Sequence, residues 1–252
     1  MRTRSTVGSD DRAVSDVVGY VLIFSLITIS VGVITVGGFS TLQDRQDAER
    51  INNAERAFDV FAANMEDVYR DGAPSRATEM RLSGGTLRYG EPTNVTLRRA
   101  DNADINWTAQ ITPIIYSDSG TEIVYEAGAI IRDERGGSVV LRSPPYRFGS
   151  ERALLPLVRT TRPVEESPVS FEGTIRVEST RTSIDAGIGP ELADPSGDLE
   201  FEVDSERQEA WNRYLEQIAE REASWSHSDG TLTFDPESAF APRFRIQLRF
   251  VR

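Results

Sequence analysis

One stretch constrains everything this chain can become. Val17 to Gln43, VVGYVLIFSLITISVGVITVGGFSTLQ, contains no charged residue and is bracketed by Asp16 and Asp44. Its roughly 27 residues, wound at 1.5 Å each, reach about 40 Å, more than the ~30 Å that a hydrocarbon core requires. No other segment approaches this hydrophobicity. A secretory signal has an apolar run of only about 7–15 residues before a small-x-small site. This run is about twice that length, and Val36-Gly37-Gly38 matches such a site weakly. The expectation is a helix retained in the lipid bilayer, with a folded domain after it.

Composition narrows the rest. The chain has 252 residues and no cysteine, so a domain of about 200 residues must stand on an ordinary core without disulfides or thiolate–metal chemistry. All 28 basic residues are arginine against 40 acidic ones, a net charge of −12. An acidic, lysine-free surface disfavours nucleic acid and anionic headgroups. It suits a halophilic setting, where the Debye length falls to ~3 Å at 1 M salt. Arginine in place of lysine also follows from GC-rich coding.

The junction before the apolar run carries a second signal. Asp11-Arg12-Ala13-Val14-Ser15-Asp16-Val17-Val18-Gly19 sets a basic and a small residue directly ahead of the helix. This resembles the class III leader of archaeal type IV pilins, which often reads R-A-V-S-P-V-I-G. The resemblance implies a prepilin peptidase cutting at the cytoplasmic face between Ala13 and Val14, with Arg12 and Ala13 recognised and the helix kept. It also implies other pilin subunits, a secretion ATPase and a membrane platform as partners. Asp16 stands where that family has proline, and Tyr20, Phe24 and several Ser/Thr interrupt the plain aliphatic run of adhesion pilins. A minor-pilin role fits better than a major-filament one. The chain beyond the helix resembles a group of haloarchaeal pilin-like surface proteins of unassigned activity. After the cut, Asp16 would lie two residues from a new α-amino group and could pair with a neighbouring subunit's terminus. The simpler alternative is a helix start, with Ser15 or Asp16 as N-cap and a carboxylate complementing the dipole.

Arginines on the two flanks balance, with Arg2, Arg4 and Arg12 before and Arg45, Arg50 and Arg56 after, so the positive-inside rule does not orient the helix. Two sequons, Asn94-Val95-Thr96 and Asn106-Trp107-Thr108, favour an extracellular C-terminal part and make Asn94 and Asn106 candidate glycosylation sites. Gly32, Gly37, Gly38, Ser25 and Ser30 supply small residues for close helix packing in lipid.

Downstream, Ile51, Ala54, Phe58, Phe61, Met65 and Val68 recur at three- and four-residue steps, an amphipathic stripe that Gly72-Ala73-Pro74 ends. One helix is expected from about Ser15 to Arg70. About a dozen short runs then alternate with turn residues, as antiparallel strands do in a sandwich or stacked sheets. Among them, Thr78–Leu82 and Thr86–Arg88 flank Ser83-Gly84-Gly85 as an expected hairpin. A second helix is expected over Ser205–Ser224, its stripe of Trp211, Tyr214, Leu215 and Ile218 covering a sheet. Gly187–Gly197 reads as a loop. The fold class is therefore α+β: a long N-terminal transmembrane and amphipathic helix, then a mostly antiparallel β domain with one more helix. Residues 1–13 read as a cytoplasmic leader, 14–43 as the transmembrane helix, 44–71 as its amphipathic continuation and 75–252 as the extracellular β-rich domain.

Catalytic and metal chemistry finds no foothold. The single histidine, His227, precedes a turn where it is expected to be solvated, and no nucleophile-elbow sequence accompanies it. One histidine without cysteine does not make a zinc site, and no phosphate-cradling glycine loop is present. No cofactor, metal site or enzymatic activity is expected. The leading reading is a membrane-anchored, pilin-like subunit for surface filaments or adhesion. Its alternatives are a non-polymerising single-pass envelope protein and a secreted β protein starting near Phe39.

Overall fold

The computed structural model describes residues 10–102, 106–163, 169–185 and 197–251. It is α+β, as expected. Helix α1 (Asp10–Tyr69) opens the described chain. There follow β1 (Ser75–Tyr89), β2 (Thr93–Arg99), β3 (Asn106–Ile111), β4 (Ile114–Asp118), β5 (Thr121–Glu126), β6 (Ala129–Glu134), β7 (Gly137–Arg142), β8 (Ala153–Leu154), β9 (Leu157–Thr161), β10 (Val169–Asp185) and β11 (Leu199–Asp204). Helix α2 (Gln208–Ala219) comes next, then β12 (Ser226–Ser228), β13 (Thr231–Phe234), β14 (Ala239–Phe240) and β15 (Arg243–Val251). Two compact units divide the chain, residues 1–48 and 49–252.

The second unit is layered. An eight-stranded sheet runs β7-β6-β5-β4-β1-β10-β15-β9, a five-stranded sheet runs β12-β13-β11-β2-β3, and β14 pairs with β8. Pairings are antiparallel except β15 with β9 and β14 with β8, which are parallel. The predicted stripe Ile51, Ala54, Phe58, Phe61, Met65 and Val68 is buried on one face of the large sheet, against Met80, Ile114, Tyr116, Ile175 and Leu248. The opposite face receives the small sheet and α2, through Ile115, Val124 and Ile131 against Val95, Leu97, Phe201 and Trp211. Neighbours on β4, β5 and β6 thus alternate between two cores: Ile114 and Tyr116 meet the helix and Ile115 the small sheet. A strand covered on both faces has no solvent side, which is why these strands read as unbroken apolar runs rather than alternating ones.

Local signals explain the boundaries. Helix α1 begins by Asp10, earlier than Ser15; acidic residues in a first turn complement the positive end of the helix dipole. It ends at Tyr69, and Gly72, whose φ of +82° is left-handed, turns the chain away from the helix axis. Arg181 of β10 then caps the helix, donating to the carbonyls of Val68 at 2.7 Å and Gly72 at 3.0 Å. The tight turns at Ser119-Gly120 and Asp229-Gly230 have positive φ at both residues, the geometry that matches the twist of an antiparallel hairpin.

Two expectations are corrected. Ser83-Gly84-Gly85 is not a hairpin turn: both flanking segments belong to β1 and pair with the same strand, Leu82 opposite Gly173 and Thr86 opposite Ser170. The two glycines, at φ +88° and +75°, form a bulge that lets the strand continue. A Cβ on Gly85 would lie 2.7 Å from the Tyr116 ring, so β4 approaches too closely for any other residue. Helix α2 is also shorter than Ser205–Ser224. Its entry is a turn in which Ser205 Oγ accepts from the Arg207 amide at 3.0 Å and Gln208 Oε1 accepts from the Ser205 amide at 3.2 Å, while Ser138 Oγ of β7 accepts from the Ala210 amide in the first turn of the helix at 3.0 Å. Of the expected loop Gly187–Gly197, all but Gly197 lies outside the described residues.

Candidate functional site

Two regions concentrate chemistry: the apolar part of α1 and the interior of the β domain. Within α1, Val17–Thr35 is long and apolar enough to cross a membrane, and none of that window is buried within the protein. Val21, Leu22, Ile23, Phe24, Leu26 and Ile27 are exposed all round the helix rather than along one stripe, so no single face is reserved for a core of the chain's own. Two of its hydroxyls bond back to the helix: Thr28 Oγ1 donates to the Phe24 carbonyl at 2.8 Å and Ser30 Oγ to the Leu26 carbonyl at 2.7 Å. Such back-bonding removes the cost of an unpaired donor in hydrocarbon. Tyr20 and Phe24 stack one turn apart, ring centroids 6.3 Å. A Cβ at Gly32 would meet nothing within 4 Å, so this glycine serves no close approach inside the described chain.

The expected processing residues Arg12, Ala13 and Val14, and Asp16, lie on the helical backbone of α1; their side chains fall outside the described residues. The two sequons come together. Strands β2 and β3 pair so that Thr96 faces Thr108, and their hydroxyls hydrogen-bond at 2.9 Å. Asn94 is half-buried and its amide donates to Asp204 Oδ2 at 3.4 Å, whereas Asn106 is exposed on the edge strand β3. Asn106 is therefore the more accessible acceptor of the two.

A protein-family model described as a family of unknown function (DUF7289) matches residues 12–249. The chain belongs to the DUF7289 family. No curated protein and no solved structure matches it. The family match runs from the junction before the apolar segment to the last strand, so apolar helix and β domain are parts of one family unit.

The interior of this DUF7289 member holds a charged knot that sequence reading missed. Glu126, at the end of β5, is fully buried, and Arg207 is 3% exposed. Glu126 Oε1 accepts from Trp211 Nε1 at 2.7 Å and Ser205 Oγ at 2.5 Å, while Oε2 accepts from Arg207 at 3.3 Å. Arg207 also reaches Glu122 at 3.4 Å and Glu206 at 3.3 Å. Nearby, burial pushes the Asp133 carboxyl above its ordinary range, with Arg207 pulling the other way. The knot ties the entry of α2 to the large sheet. Its central pair, Glu126 and Arg207, is withdrawn from solvent. The only sequence trace was the S-x-x-Q pattern at Ser205–Gln208; nothing marked Glu126 among the 40 acidic residues.

His227 is not the solvated side chain expected: it is half-buried on β12, with Nε2 buried and unpartnered. No group of three or more His, Cys, Asp or Glu able to hold a metal occurs among the described residues.

Proposed function

We propose that this DUF7289 protein is a single-pass, membrane-anchored pilin-like subunit whose β-rich domain lies outside the cell and serves surface filament assembly or adhesion. The observation that carries the reading is the all-round exposure of Val17–Thr35 on the same helix whose later residues, Ile51–Val68, are buried under an antiparallel sheet. An all-round apolar helix seeks lipid or other apolar helices, and a helix seated on a sheet transmits that attachment to a folded domain. The junction Arg12-Ala13-Val14 adds a cutting point at which a prepilin peptidase would release the helix for bundling, driven by a secretion ATPase through a membrane platform. Asp16 would then neutralise a neighbouring subunit's terminus. Glycosylation at Asn106, and less readily at Asn94, would decorate the outer face.

The test is N-terminal sequencing of the protein from a detergent-extracted membrane fraction, with mass spectrometry of sheared surface material. A mature start at Val14, with the chain present in sheared filaments, is the expected result. An intact Met1 in membranes without filaments would replace it with the non-polymerising anchor. A start near Phe39, or recovery without detergent, would overturn anchoring. Asp16→Ala should lower the amount of assembled filament; wild-type levels would refute the pairing role.

A further inference from the structure

The sheet edges of this domain are closed in different ways. The outer side of β9 is taken by the residue after β3: the Thr112 amide donates to the Thr160 carbonyl at 3.1 Å, and Thr160 Oγ1 donates to the Thr112 carbonyl at 2.5 Å. Strand β12 is only three residues long, and on β3 the exposed side chains, Asn106, Thr108 and Gln110, are polar. Strand β7, the other edge of the eight-stranded sheet, differs. Among the described residues nothing pairs with its outer side, and Val139 and Leu141 stand 44% and 45% exposed. Ile130 pairs with Arg142 and Ile131 with Val140, which leaves Leu141 as a bulged residue. Bulges and charges ordinarily protect an edge; here the bulged residue is itself apolar. No carboxylate lies in Gly137–Arg142, and its one charge, Arg142, meets Asp59 at 3.8 Å and Glu66 at 3.2 Å on α1. Between β7 and α2 opens a pocket of about 110 Å³, lined by Val139, Val140, Tyr214 and Gln217 among others.

We propose that β7 is the contact through which two copies of this chain join, their β7 strands pairing antiparallel about a two-fold axis. Centred on Val140, the pairing sets Val139 of each copy beside Leu141 of the other, apolar against apolar. Alternate side chains of the added strand then reach over the pocket beside α2. Charge selects the occupant. The chain carries −12, so two copies repel each other on the whole. An edge with no carboxylate of its own and a neutralised arginine is where that repulsion is least, whereas a basic partner would find nothing there to attract it. A six-residue strand reaches only about 20 Å, and an edge of that length buries less than the ~1,200 Å² of a stable complex. The pairing therefore draws on copies concentrated on one membrane. To that extent it rests on the anchoring proposed above; it needs neither the leader cut nor helix bundling.

The experiment exploits a chain without cysteine. Single-cysteine variants V139C, V140C and L141C, with Q110C on the exposed edge of β3 as control, are made in the full chain and oxidised in membranes of the producing cells. Directly opposite residues of an antiparallel pair stand about 4.5–5.5 Å apart, within disulfide reach. V140C, on the axis, should give covalent dimer at several times the yield of Q110C. Adding V139R or, separately, L141R to V140C should cut that yield severalfold, because both positions are exposed and a charge there blocks the edge without being buried. Washing the membranes without detergent before oxidation reads anchoring apart from pairing: chain lost in the wash overturns the anchoring, and chain retained but not cross-linked overturns the pairing alone. Dimer no more abundant at any β7 position than at Q110C, a yield unchanged by both arginines, or an adduct of a different mass in place of the dimer would each overturn the assignment.

Discussion

Removing the buried carboxylate of Glu126 should unfold this domain more readily than almost any surface change. In E126A, Trp211 Nε1 and Ser205 Oγ lose their acceptor, and Arg207 loses its only fully buried counter-charge. Breaking a buried pair from one side costs about 3–5 kcal/mol, because a desolvated charge is left uncompensated. Arg207 keeps Glu122 at 3.4 Å and Glu206 at 3.3 Å, so the lower end, about 3 kcal/mol, is expected. At about 2–4 °C per kcal/mol for a domain of this size, the melting temperature should fall by roughly 6–12 °C. E126Q keeps an acceptor for Trp211 and should cost less, about 1–3 kcal/mol. The decisive variant is E126L/R207M, which removes both desolvated charges and should recover most of the loss. Urea unfolding of the full chain in detergent, followed by tryptophan fluorescence, gives all three values. If E126A lies within about 1 kcal/mol of the wild type, or the double variant is no better than E126A, the uncompensated charge is not what the knot holds in check.

Three further outcomes are expected. F61A should cost about 3–5 kcal/mol in the same unfolding assay, because Phe61 is fully buried and its ring meets Tyr125 edge-on at 5.0 Å. R181A removes the donor to the α1 carbonyl of Val68 and to the Gly72 carbonyl just beyond the helix and should cost on the order of 1–2 kcal/mol, with faster amide exchange confined to the last turn of α1. Burial pushes the Tyr116 and Tyr214 hydroxyls up to about 12; folding therefore favours their protonated forms, and that stability, complete below about pH 10, is lost as pH rises through the folded values. Tyrosinate absorbance should accordingly rise for these two only near pH 12, and ionisation near pH 10 in the folded protein would contradict it.

What could be read from the sequence was periodicity, and what could not was register. The stripe Ile51, Ala54, Phe58, Phe61, Met65 and Val68 needs only helical spacing to declare its buried face, and every one of these residues is buried. The same holds for Trp211, Tyr214, Leu215 and Ile218 on α2. Turn chemistry was legible where two positive-φ residues join neighbouring strands, and it misled at Gly84-Gly85, where the same signal makes a bulge because both arms pair with β10. Nothing local separates those cases; the partner strand does. Charge was the least legible feature. With 40 acidic residues and 28 arginines, composition permits almost any pairing. Topology alone decides that Glu126 meets Arg207 in the interior and that Arg159 faces Arg245. The first arrangement puts opposite charges where desolvation makes a lone charge costly, so it must be satisfied within the chain. The second sets like charges side by side on a strand pair where Arg245 is exposed, and there water and salt screen a repulsion that the interior would not.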